Sequence, residues 1–180
     1  MVDTVASRYA LALFEIAKEE DKVSFYKEEL NSFKSLLSND VLSFLGHFGI
    51  PVKDKKAFLE KAFKGQMDQT VFNFLCLLLD KQRFNSIEDI IESYNEAANE
   101  YLNIEEGIVY SASKLTDEEV KGIAQKVSKM IGKTTLLKQK LDESLVGGFK
   151  VCVADKVIDN SLKNKLEGLR SELLGKEVNG

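Results

Sequence analysis

The chain has 180 residues, with 25 Lys and Arg against 29 Asp and Glu, a formal net charge of −4, one His, two Cys, one Pro and no Trp. With 44% apolar and 30% charged residues it has the make-up of a globular protein that buries a core without disulfide or metal staples, and it holds too little Pro and Gly for collagen-like or long disordered tracts. Neither cysteine has a second Cys or a His nearby, which excludes zinc and C-x-x-C motifs, and the apolar runs around Cys76 and Cys152 predict two buried free thiols in a reducing compartment.

The first residues carry Asp3 and no base before Arg8, so no secretory or mitochondrial targeting segment is expected. The longest apolar run, residues 71–79, is less than half the ~20 residues needed to cross a bilayer. Association with a membrane would therefore run through a partner.

Helical periodicity dominates residues 3–104. The opening segment carries Val2, Val5, Ala6, Tyr9, Ala10, Ala12, Leu13, Phe14, Ile16 and Ala17 on one arc. At about 100° per residue that arc spans roughly 200°, about twice an ordinary core-facing stripe. After a break at Glu20-Asp21, Val23, Tyr26, Leu30, Phe33 and Leu37 step by 3, 4, 3 and 4 residues. A short helix over 40–45 follows, and a further one over 54–64 has Phe58, Leu59, Ala62 and Phe63 on one side. The segment 68–81 is apolar nearly all round, and Ile87, Ile90, Tyr94, Ala98 and Tyr101 mark the next helix. Breaks at Asn39-Asp40, between Gly46 and Pro51, at Gly65 and near Asn85-Ser86 divide this part into about six helices.

Past Gly107 the period changes. Ile108-Val109-Tyr110 reads as a strand, and Thr116 with Glu119 reads as the capping box of a helix whose buried stripe is Val120, Ile123, Ala124, Val127, Met130 and Ile131. Gly132 is its stop. Residues 134–141 alternate loosely, Phe149, Val151 and Val153 alternate strictly, Asp155-Lys156 turns into Val157-Ile158, and Leu162, Leu166, Leu169 and Leu173 mark a last helix. The fold class is thus α+β with two domains: helices over 1–104, then a small β-α-β-β-β-α domain over 105–180.

The charge differs between the parts, 12 basic against 17 acidic residues before position 105 and 13 against 12 after it, and neither balance is a nucleic-acid footprint. His47 lies in a Gly-flanked turn without a nearby nucleophile or acid at triad spacing and reads as a surface-loop residue. Ile131-Gly132-Lys133-Thr134 has the tail of a P-loop, but the required earlier glycine is Val127. Gly147-Gly148 precedes a strand and lacks the spacing of a dinucleotide site. Acid pairs at Glu28-Glu29, Glu105-Glu106 and Glu118-Glu119 read as solvated helix surfaces or ends. The sequence points to no enzyme activity, no metal and no cofactor.

The two most apolar helices, the first and fifth, carry more apolar surface than one small bundle easily encloses. Taken alone, the fifth reads most simply as a central helix surrounded by neighbours. Together they point to an apolar groove, and Ala6, Ala10, Ala12 and Ala17 would let another backbone approach closely.

Three motifs carry a family resemblance. Ala6-Ser7-Arg8-Tyr9-Ala10-Leu11-Ala12-Leu13-Phe14-Glu15 resembles the opening motif of the delta subunits of bacterial F-type ATP synthases, the family of the oligomycin-sensitivity-conferring protein. Leu78-Leu79-Asp80-Lys81-Gln82-Arg83-Phe84 resembles the mid-chain motif, and residues 142–149 with 155–162 resemble the C-terminal signature. Gln82 replaces a common Gly, which predicts a less abrupt end to the fifth helix, and Asn160 replaces another where a left-handed turn residue would be tolerated.

The resemblance implies an N-terminal six-helix bundle, a smaller α/β domain and a non-catalytic stator role on the peripheral stalk, coupling ion flow to ATP synthesis. It also implies location at the cytoplasmic face of a bacterial cell membrane, held there by partners alone. In that family the bundle receives the N-terminal helix of an alpha subunit of the catalytic head between its first and fifth helices, and the C-terminal domain holds the b subunits of the stalk. Carried onto this sequence, the groove candidates are Val5, Tyr9, Ala12 and Ile16 on the first helix and Thr70, Asn73, Phe74, Leu77 and Lys81 on the fifth. Gly147, Gly148, Asp159 and Ser161 read as backbone, turn and cap residues. The competing reading is an independent helical scaffold or regulatory adaptor that binds amphipathic helices in another complex.

Overall fold

A computed structural model describes residues 4–63 and 65–176; Val2 and Lys64, which enter the patterns above, lie outside them. The chain divides into two compact units, Met1–Leu102 and Asn103–Gly180, each with its own apolar core. The first is helical and the second mixes helices with a sheet, giving an α+β protein with eight α-helices and four strands among the described residues.

Local chemistry sets the helix ends of the first unit. Helix α1 (Thr4–Glu19) closes where Asp21 takes a left-handed φ of 54°, which returns the Lys22 N–H to the Ala17 carbonyl at 2.8 Å. Between α2 (Val23–Leu36) and α3 (Asn39–Gly46), the Ser38 hydroxyl accepts the Val41 N–H at 3.4 Å as an N-cap. Pro51 precedes α4 (Val52–Phe63), and its carbonyl accepts the Asp54 N–H at 3.0 Å. Asp68 caps α5 (Gln69–Asp80), and a 3₁₀ turn over Phe84–Ser86 leads into α6 (Ile87–Tyr101).

The expectation for Gln82 fails. Gln82 adopts a φ of 55°, and the Arg83 N–H bonds to the Leu78 carbonyl at 2.9 Å, so α5 stops as sharply as it would at a glycine. The chain tolerates the strain of a left-handed non-glycine residue there because the closing hydrogen bonds hold the turn.

The core of this unit gathers one face from each long helix. Leu13, Tyr26, Leu30, Phe33, Leu75, Leu78, Ile90 and Tyr94 are all buried. Helix α1 packs chiefly on α6, where the Phe14 ring meets Tyr94 edge-on at 6.2 Å and Tyr101 at 5.8 Å. The buried Tyr94 hydroxyl is satisfied by donating to the Val23 carbonyl at 3.2 Å.

The second unit runs β1 (Ile104–Ser111), α7 (Asp117–Ile131), β2 (Thr134–Leu141), β3 (Gly148–Val153), β4 (Lys156–Ser161) and α8 (Leu162–Lys176). The strands lie in the order β2-β1-β3-β4, with α7 crossing over between the parallel pair β1 and β2 and the other pairs antiparallel. Helix α7 covers one face, packing Ile123 and Val127 against Val109, Val151 and Val153. Gly148 enters β3 at a φ of 80°, and a Cβ there would sit 2.4 Å from the Asn160 carbonyl oxygen, so no larger residue fits.

Three expectations are corrected in this unit and its neighbour. Glu105 and Glu106 lie within β1 rather than at a helix end, because the strand begins earlier than Ile108; they pair across the sheet with Lys133 at 2.9 Å and Lys138 at 3.3 Å. Asn160 sits in extended β4, and the left-handed residue of the hairpin is Ala154, with a φ of 48°. Both cysteines are half-buried rather than buried: Cys152 points to the sheet face that α7 leaves uncovered, and Cys76 lies on the flank of α5.

The capping box of α7 is formed. The Glu119 carboxylate accepts the Thr116 N–H at 2.8 Å, and the Thr116 hydroxyl accepts the Glu119 N–H at 3.3 Å. Thr116→Ala removes one half of this exchange and is expected to destabilise the second unit by about 1 kcal/mol, read as a lower midpoint in chemical denaturation with an unchanged slope.

Candidate functional site

The apolar arc of α1 is divided by packing. Ala6, Ala10, Leu13, Phe14 and Ala17 turn into the core, and the adjoining edge stays open. On that edge Val5 and Tyr9 are half-buried, Ala12 is exposed and Ile16 is 41% exposed. Steps of four, three and four residues keep these four on one line along the helix. The small side chain at Ala12 leaves the backbone within reach of a docking helix.

Helix α5 divides in the same way. Val71, Phe72, Leu75, Leu78 and Leu79 are buried, Thr70 is half-buried, and Asn73, Leu77 and Lys81 are exposed, with Leu77 at 42%. Phe74 is 7% exposed and belongs to the core, so it underlies the stripe rather than standing out from it. Burial of α5 on most of its circumference agrees with a central helix, yet Leu77 remains uncovered in a line whose other open members, Thr70, Asn73 and Lys81, are polar.

Among the described residues α1 packs against α6 and α2, and α5 packs against α4 and α2; the two helices make no extended backbone packing with each other. A polar cluster joins the segment after α1 to the start of α5. The Lys22 amino group donates to Asp68 Oδ2 at 2.8 Å and lies 3.3 Å from Glu20 Oε2. The buried Tyr26 hydroxyl sits between the Glu20 carboxylate and Asp68 Oδ1, 3.2 Å from the latter. Asp68 Oδ1 accepts the Thr70 N–H at 2.9 Å, the Glu29 carboxylate accepts the Asp68 N–H at 2.9 Å, and the Thr70 hydroxyl reaches Glu20 Oε1 at 3.4 Å.

Mutual stabilisation holds Lys22 and Asp68 charged. The hydrogen bond from Lys22 keeps the Asp68 carboxyl below the usual carboxylate range, and its bond to Asp68 keeps the Lys22 ammonium above the usual range for lysine. Burial pushes the Tyr26 phenol up to about 12. Sequence periodicity assigned Tyr26 to the core and Glu20 to a helix break, and it had no means of pairing residues 42 positions apart. The available signal was a polar tip on a core tyrosine, since a buried hydroxyl requires a partner.

In the second unit the last helix is the surprise. Leu162, Leu166 and Leu169 form a stripe in the sequence, and on α8 all three are exposed, Leu166 at 66%. Val146, 81% exposed, stands beside them, and with Leu166, Lys163, Glu167 and Arg170 it lines an open hollow of about 250 Å³. The Ser161 hydroxyl accepts the Asn164 N–H at 3.2 Å and caps this helix, and the Asp159 carboxylate accepts the Ser161 N–H at 2.9 Å.

No reactive centre is assembled among the described residues. His47 is exposed, and its Nδ1 accepts the Gly49 N–H at 3.0 Å within its own turn. Burial raises the Cys76 thiol above its ordinary range, which opposes thiolate formation. Among the described residues no three His, Cys, Asp or Glu side chains are gathered for a metal, and no helix is long and apolar enough to cross a membrane.

The model of the family ATP synthase delta (OSCP) subunit matches residues 5–173. The ATP synthase subunit delta of Syntrophomonas wolfei is 36% identical over 172 residues, covering 94% of each chain. That of Bacillus thuringiensis strain Al Hakam is 36% identical over 173 residues, covering 94% of this chain and 96% of the relative. A chain from the Toxoplasma gondii mitochondrial ATP synthase hexamer shares the fold, with a TM-score of 0.66, 20% identity and coverage of 96% and 98%.

Proposed function

The chain belongs to the ATP synthase delta (OSCP) subunit family, and from that premise we propose how its two units work. It is a non-catalytic stator subunit of the peripheral stalk of an F-type ATP synthase, and it associates with the other subunits of that complex. Its first unit acts as a six-helix bundle that receives the amphipathic N-terminal helix of an alpha subunit of the catalytic head. That helix lies along Val5, Tyr9, Ala12 and Ile16 of α1 and Thr70, Asn73, Leu77 and Lys81 of α5, with Phe74 beneath. The second unit, residues 105–180, holds the b subunits, and the link keeps the head from turning with the rotor at the cytoplasmic face of the membrane.

One observation carries this reading: α1 and α5 bury most of their apolar surface in the core and leave Ala12, Ile16 and Leu77 exposed. A helix docked there would complete the burial by the helix-in-groove mode. In the second unit the exposed leucines of α8 supply an apolar surface for a helical stalk partner. Residue-mapped crosslinking of the assembled synthase tests the arrangement. Crosslinks are expected from α1 and α5 to the alpha N-terminus and from residues 105–180 to the b subunits; the reverse assignment would sink it.

A further inference from the structure

The open lines on α1 and α5 are useful to a partner only at the right separation, and among the described residues the two helices make no extended backbone packing with each other. Helix α2 packs against both, and the polar cluster built on it supplies the direct ties. Glu20 is the first residue beyond α1, Asp68 is the cap of α5, and Thr70 is itself a member of the α5 line. The left-handed turn at Asp21 aims Glu20 and Lys22 at the start of α5, where Lys22 meets Asp68 at 2.8 Å and Tyr26 meets it at 3.2 Å from within α2.

We propose that Lys22, Tyr26 and Asp68 form a clasp that fixes the spacing of α1 and α5, acting as positioning residues for the docked helix. The inference rests on the groove reading of the first unit. A rigid, pre-set pair of walls spares the partner the cost of ordering them, so the clasp raises affinity without contributing contact area. Its location explains why a buried tyrosine and three carboxylates are gathered where an all-apolar join would suffice for stability. Each hydrogen bond has a direction and a length, which define a distance more narrowly than apolar packing does.

Binding of a synthetic peptide of the alpha-subunit N-terminus to the full chain, followed by calorimetry, provides the test. Lys22→Met keeps the aliphatic stem and removes the ion pair, and Asp68→Asn keeps an N-cap acceptor of equal rank and removes the charge. Both are expected to weaken peptide binding about five- to tenfold, within the range of ordinary site-to-site coupling, and Lys22→Arg is expected to restore it. Leu77→Arg in the same titration separates the two ideas. If Leu77→Arg weakens binding and both clasp variants, still folded by circular dichroism, bind like the parent, the clasp is wrong and the groove stands. If Leu77→Arg has no effect, the groove falls and the clasp falls with it. Equal losses in Lys22→Arg and Lys22→Met also overturn the proposal, because the charge would then be irrelevant.

Discussion

Leu77→Arg is expected to weaken binding of the alpha N-terminal helix at least tenfold while leaving the fold of the first unit intact. Leu77 is 42% exposed and projects from a helix whose other leucines, Leu75, Leu78 and Leu79, are in the core, so its replacement opens no cavity. In the bound state it would lose its remaining access to water. Burying a large aliphatic side chain contributes on the order of 1.5–3 kcal/mol, of which the 42% of Leu77 still exposed accounts for about 0.6–1.3 kcal/mol, and tenfold in affinity corresponds to about 1.4 kcal/mol, so the lost burial supplies part of the tenfold and the introduced charge the rest. Arginine adds the cost of placing an unpaired charge against apolar surface. Titration of the peptide, paired with a thermal melt of the variant, reads both quantities. Parent-like affinity in a folded variant removes α5 from the interface.

The second large effect is expected in the second unit. Leu166→Glu combined with Leu169→Glu should reduce binding to the b subunits by a hundredfold or more, with binding of the alpha peptide unchanged. Two exposed leucines on one side of α8, 66% and 57% exposed, would add about 1.8–3.7 kcal/mol between them when a partner buries what remains open, the equivalent of about one to two and a half decades before the charges are counted. Introduced carboxylates would have to be desolvated as well. The two readouts are independent because each unit has its own core and Leu166 and Leu169 belong to neither. Co-purification of the variant with b subunits at parental levels would show that α8 is not the stalk-facing surface.

Much of the fold was legible because its signals are local. The Thr116 and Glu119 capping box, the Gly132 stop and the strict alternation of Phe149, Val151 and Val153 involve residues only a few positions apart, and each appears in the structure as read. The periodicity of α2 and α6 was equally clear, since a stripe that faces a core repeats every three or four residues. Errors fell where the deciding contact came from elsewhere in the chain. Gln82 accepts a left-handed turn because of hydrogen bonds closing α5, and Glu105 and Glu106 became strand residues because β2 pairs beside them.

The sequence by itself determined the change from helices to an α/β unit, the capped ends of α7, the surplus of apolar surface on α1 and α5, and the motifs that mark the family. Only the tertiary structure decided how that surplus was shared: which edge of α1 turned inward with Ala10 and Leu13, which was left open with Ala12 and Ile16, and that Leu166 stayed in solvent. It also decided that Tyr26, Lys22 and Asp68 meet at all. The reason is physical. A periodic pattern fixes which side chains share a face, but exposure is fixed by what lies against that face, and those neighbours arrive from distant parts of the chain.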